Sequence, residues 1–176
     1  MTRCDLSLGF IGLGALGLPM AANLCKAGFR LHVHTRSRNA EAAPDLLGTQ
    51  SCASPAEVAE TIDVLMLCVS DDQAVDDVLF GPDGAAATLR PGAVVVDCST
   101  IAPSKAQQCA ERLAHQQIHY LDAPVTGGTE GARQGTLTVL VGGDLEQLNR
   151  VRPLLEVVGR TIHHFGAVGR GQQVKA

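Results

Sequence analysis

"GFIGLGALGLPMAANLCKAG" (9–28) holds an apolar run that breaks at Gly12 and resumes as a helix-like pattern ending near Ala27. Gly12, Gly14 and Gly17 stand in the GxGxxG spacing where a strand hands over to a helix. The first glycine permits the tight turn, the second lets backbone approach a pyrophosphate at the positive helix end, and the third lets helix and strand pack closely. In that setting the motif predicts dinucleotide binding, with Gly12, Leu13, Gly14, Ala15, Leu16 and Gly17 as contacts. Pro19 falls about one turn into the helix and removes a backbone donor, so a slight kink is expected there.

The same strand-then-helix rhythm repeats downstream. Short apolar runs occur at "LSLGFIG" (6–12), "FRLHVHT" (29–35), "DVLMLCVS" (63–70), "GAVVVDCS" (92–99) and "IHYLDAP" (118–124). Their apolarity is continuous rather than alternating, which marks parallel strands covered on both faces by crossover helices. The fold class is therefore α/β, a Rossmann-type doubly wound sheet. Ser54-Pro55-Ala56-Glu57 reads as a capping box, Pro103 opens a helix toward His115, and Asp144 with Gln147 opens one that ends near Gly159. "TLTVLVGG" (136–143) and "RTIHHFG" (160–166) follow without a long crossover, so the far edge of the sheet is expected to be mixed.

Composition agrees with one well-packed domain: 176 residues, 45 % apolar and 18 % charged. A net charge of -4 without long runs of either sign argues against nucleic-acid and membrane partners and favours a small molecule. Six cysteines form no CxxC pair, several lie in apolar segments, and no metal-ligand spacing is present. The apolar N-terminal stretch is too short for a membrane span and runs into the glycine turn rather than a cleavage site, so a reduced, cytoplasmic chain is expected.

After the second strand an NAD-specific site places an acid about twenty residues beyond the glycines, where it binds the ribose hydroxyl. Here the segment reads "VHTRSRN", with no acid between 29 and 40. Arg36 and Arg38 stand there instead, flanked by Thr35 and Ser37. A guanidinium matches a phosphate bidentately and stacks on adenine, so NADP is expected over NAD, with Arg36 the better candidate.

"DAPVTGGTEGARQGTLTVLVGG" (122–143) puts Thr126, Gly127 and Gly128 just past a strand end, where backbone donors and a hydroxyl can cradle a carboxylate. Together with "FIGLGALGLPMAANL" and "GRGQQVK", this stretch strongly resembles the β-hydroxyacid dehydrogenases, a family that includes 3-hydroxyisobutyrate dehydrogenases and tartronate and succinic semialdehyde reductases. The resemblance covers residues 7–176. It implies that Thr126, Gly127 and Gly128 form the substrate-carboxylate loop, although serine is commoner at the threonine's position. Gly169, Gly171 and Lys175 look like the family's GxGxxxK motif, whose lysine is the general acid/base. "VSDD" (69–72) and "CST" (98–100) then line the nicotinamide side, with Val69, Ser70 and Thr100 as contacts.

In the family that lysine lies near the start of a long helix leading to an all-helical second domain. Residues 1–165 are accordingly expected to form the cofactor domain and 166–176 the start of the interdomain helix. The expected activity is hydride transfer between NADP and a short 3-hydroxy acid or its semialdehyde, in a homo-oligomeric full-length enzyme. The alternative is a non-catalytic NADP-binding module. The segment "GTLTVLVGG" (135–143) after the loop weighs against 6-phosphogluconate dehydrogenase, which has a related Gly-Gly loop, and Lys175 weighs against imine reductases.

Overall fold

The computed structural model describes residues 5–176; Cys4 lies outside them. Six strands form one wholly parallel sheet: β1 (Leu8–Ile11), β2 (Leu31–His34), β3 (Gln50–Ser51), β4 (Val64–Leu67), β5 (Val94–Asp97) and β6 (His119–Asp122), in the order β3-β2-β1-β4-β5-β6. Every residue of β1, β4 and β5 is buried, which is why those runs lack alternation.

Helix α1 (Gly17–Lys26) covers one face, while α2 (Pro55–Ala59), α3 (Asp72–Phe80) and α4 (Pro103–Ala114) cover the other. Phe10, Met66 and Val96 look toward the first face, and Ile11, Leu67 and Val95 toward the second. Neighbouring residues of β1, β4 and β5 thus feed two separate apolar clusters. The chain order reverses between β1 and β4, and the crevice outside their carboxyl ends is where open sheets of this kind bind ligands.

The mixed pairing lies beyond β6, as expected, but in a sheet of its own. β7 (Val125–Thr126) pairs antiparallel with β8 (Leu137–Val141), which pairs parallel with β9 (Gly159–His164). A single antiparallel bridge, Asp122–Gly142, joins it to the end of β6. Between its strands run α5 (Gly128–Gln134) and α6 (Leu145–Val158), and α7 (Arg170–Lys175) follows β9.

The anticipated caps are made. Ser54 and Asp144 accept from the Glu57 and Gln147 amides, at 3.2 and 3.0 Å. Glu57 returns a bond to the Ala53 amide rather than to Ser54 itself. In α1 the Leu18 amide bonds Gly14 O and the Met20 amide bonds Leu16 O. Pro19 leaves unmade only the intervening rung to Ala15.

Candidate functional site

A cleft of about 620 Å³ opens at the reversal between β1 and β4. Its floor is Gly12 and the first turn of α1, one wall is Thr35 and Arg36 after β2, and the opposite wall is Cys68, Val69 and Ser70 after β4. The glycines divide their work by geometry. Gly12 has φ +99°, and a Cβ there would run into the Cys68 carbonyl; a Cβ on Gly17 would run into the Gly12 carbonyl. A Cβ on Gly14 meets nothing within 4 Å, because that position faces the cleft. Ala15 and Leu16 also line it, whereas Leu13 is buried beneath and donates its amide to Thr35 Oγ1 at 3.3 Å. The turn is thereby tied to the end of β2. A strapped turn with open backbone at a helix start fits a pyrophosphate.

Arg36 lines the cleft and makes no ion pair or side-chain hydrogen bond among the described residues. Arg38 lies outside the cleft lining and is paired: its Nε donates to Glu41 Oε2 at 2.9 Å. Ser37 is exposed and outside the cleft lining. Glu41 stands one residue beyond the acid-free 29–40 segment and returns to the end of β2 through a 3-10 turn (Asn39–Ala42), a position that no local sequence signal marks. Its nearly buried carboxylate accepts from the Thr35 amide at 2.9 Å, from Arg38 and from the Ser51 hydroxyl. Those donors hold its pKa below the usual carboxylate value, although burial, the largest single influence, pushes the other way.

Lys175, Thr100 and the Thr126–Gly128 loop are not among the residues that line the cleft, although Lys175 lies close enough to Cys68 for its charge to act on that thiol. Its Nζ donates to Thr100 Oγ1 at 2.8 Å and to the Val125 carbonyl at 2.7 Å. Those two contacts bring together three segments distant in sequence: the end of α7, the loop after β5 and the strand that carries Thr126. An ammonium has three donors, so one stays free for a ligand oxygen. Thr126 is exposed, and Gly127 and Gly128 have φ of +130° and +65°, turning the chain directly from β7 into α5.

Beneath these groups lies a buried polar layer. The Tyr120 hydroxyl donates to Asp97 Oδ2 at 2.7 Å, the Ser99 amide donates to Asp97 Oδ1 at 2.9 Å, and Ser99 Oγ accepts from the Val69 amide at 2.9 Å. This chain of bonds fixes the ends of β4 and β5 relative to each other. Burial pushes the Asp97 carboxyl up to about 6 despite those donors. It likewise pushes the Cys68 thiol up to about 12, with the Lys175 charge pulling weakly the other way. Cys68 is thus an inert wall of the cleft rather than a thiolate. No set of three His, Cys, Asp or Glu side chains stands together to hold a metal ion among the described residues. None of their helices is long and apolar enough to cross a membrane.

Residues 7–166 match the family described as the NAD binding domain of 6-phosphogluconate dehydrogenase. The chain belongs to that family. It is 42 % identical over 170 residues to 2-hydroxy-3-oxopropionate reductase of Escherichia coli, covering 97 % of this chain and 58 % of the relative. It is 42 % identical over 168 residues to 3-hydroxyisobutyrate dehydrogenase of Pseudomonas aeruginosa, covering 96 % and 56 %. A solved structure of Mycobacterium tuberculosis 3-hydroxyisobutyrate dehydrogenase with L-serine shares the fold at a TM-score of 0.91 and 33 % identity, over 97 % of this chain and 57 % of that one. The resemblance to β-hydroxyacid dehydrogenases is thus borne out for a chain that spans somewhat more than half of its relatives' length.

Proposed function

We propose that this chain is the cofactor-binding part of an NADP-dependent β-hydroxyacid dehydrogenase or semialdehyde reductase, with Lys175 as its general acid/base. The observation that carries the proposal is the position of Lys175 Nζ, held by Thr100 beside the nicotinamide wall and by Val125 next to the Thr126–Gly128 loop. The glycine turn binds the pyrophosphate, and Val69, Ser70 and Thr100 face the nicotinamide. That ring supplies hydride to a carbonyl carbon, or accepts it from a carbinol. Thr126 and the Gly127 and Gly128 amides hold the substrate carboxylate. In reduction the free N–H of Lys175 gives its proton to the oxygen that becomes alkoxide-like, and in oxidation the neutral amine takes the hydroxyl proton.

NADP is favoured over NAD by two side chains. Arg36 has no side-chain partner among the described residues and can meet a 2'-phosphate, while Glu41, whose carboxylate stands at the end of β2, already accepts from several donors and has little capacity left for a ribose hydroxyl.

The test is Lys175→Ala in the protein's complete natural form, assayed with 2-hydroxy-3-oxopropionate, 3-hydroxyisobutyrate and L-serine. Turnover is expected to fall by at least 100-fold while NADPH binding stays within twofold of the parent. Turnover that survives the substitution removes Lys175 from the chemistry. A parent that binds NADPH and turns over none of these acids supports the non-catalytic module instead.

A further inference from the structure

Asp122 and Gln172 are buried polar residues that the hydride-transfer chemistry leaves without a role. Asp122 ends β6. Its Oδ1 accepts from the Gly169 amide at 2.8 Å and its Oδ2 from the Gln172 amide at 2.9 Å, so one carboxylate receives the opening turn of α7. Gln172 then reaches across to the loop after β5. Its Nε2 donates to the Ser99 carbonyl at 2.7 Å, and its Oε1 accepts from the Ile101 amide at 3.3 Å.

Those two bonds grip the backbone on either side of Thr100, whose hydroxyl is one of the two acceptors for Lys175. Gln172 and Lys175 are three residues apart in one helix and so share a face. Gly171 lets the helix sit this low, because a Cβ there would run into the Leu140 carbonyl and come within 2.9 Å of Asp122 Oδ2. An apolar pair could close the same gap without burying a carboxylate, whose desolvation is costly. What the polar pair adds is direction: it fixes both the helix that carries the lysine and the loop that carries its acceptor.

We infer that Asp122 and Gln172 form a positioning bridge that sets Lys175 Nζ against Thr100. The bridge rests on the proposed acid/base role of Lys175 for its functional meaning, but its geometry can be read without turnover. The chain has three lysines, at 26, 105 and 175, so brief acetylation with acetic anhydride carries its own internal standards. Gln172→Met removes both side-chain bonds at similar volume. Asp122→Asn turns one of two acceptors into a donor facing an amide.

In either variant, acetylation of Lys175 relative to Lys26 is expected to rise at least threefold, with the Lys105 to Lys26 ratio unchanged. In the complete enzyme, kcat is expected to fall about tenfold or more while the NADPH Kd stays within twofold, because small misplacements of a reacting group cost rate rather than cofactor affinity. Folded variants with parental Lys175 labelling and parental kcat overturn the bridge. So does failure of both variants to fold, which would make the pair purely structural. If labelling changes as expected but Lys175→Ala keeps its turnover, the bridge stands and the acid/base reading falls.

Discussion

Arg36 and Arg38 differ by two positions and by everything that matters for recognition. One lines the cleft without a partner and the other is bound to Glu41. Arg36→Ala is therefore expected to narrow the preference for NADPH over NADH by about 1 to 3 kcal/mol, the scale of a charge-assisted contact. Fluorescence titration with both nucleotides measures it, and equal affinities in the parent protein would discard the NADP assignment. Asp97 makes a different residue-scale prediction. Its carboxyl holds a proton to about pH 6 in the fold, against an ordinary value of 3.8. Folding takes up a proton between those values, so stability falls as pH rises through that window and stays lowered above it, by about 3 kcal/mol. Asp97→Asn keeps an acceptor for the Ser99 amide and lets the Tyr120 hydroxyl accept. The variant's urea midpoint, compared with the parent's, is expected to gain steadily from pH 4 to pH 6.5; parallel profiles would show that the carboxyl titrates normally.

At the scale of the element, the glycine turn separates folding from binding. Gly12→Ala and Gly17→Ala drive a Cβ into backbone carbonyls that cannot step aside, so both are expected to cost several kcal/mol, of order 2 to 4, in thermal or urea unfolding. Gly14→Ala faces open space and is expected to leave stability within about 1 kcal/mol while weakening NADPH at least tenfold. A Gly14 variant that binds normally would mean the phosphates lie elsewhere. The same turn shows why so much was legible in advance. Buried parallel strands, capping side chains and the GxGxxG spacing are local signals, and each appears where the pattern placed it. β3 and β7 are two residues long and too short to leave a period. Glu41 reaches the end of β2 only because a 3-10 turn folds it back. Asp122 and Gln172 lie fifty positions apart, and only the packing of α7 against β6 makes them partners.

Over the whole molecule, one sheet serves two apolar clusters. Cys98 belongs to the cluster shared with the small sheet, and Cys52 and Cys109 to the opposite one. All three thiols are free and buried. Because alternate residues of the same strands feed both clusters, neither can be lost alone, and the domain is expected to unfold in one transition. Thiol labelling read cysteine by cysteine across a urea series should give coincident midpoints for the three. Earlier exposure of Cys98 would instead mark the small sheet as a separable unit.

The cleft lining runs only from Ile11 to Pro82, whereas the lysine proposed to act on a substrate stands at position 175. In the order of synthesis, the walls for the nucleotide therefore leave the ribosome well before the reactive group, by roughly 5 to 20 s at ordinary elongation rates. The cluster beneath the glycine turn, however, draws Leu121, Val139, Leu148 and Leu155 from later in the chain, so those walls are held in place only once these residues have emerged as well. Ribosome-bound chains halted near residue 140 are therefore expected not to be retained on an immobilised 2',5'-ADP resin, and retention at that length would show that the first half of the fold forms without α6 and α7.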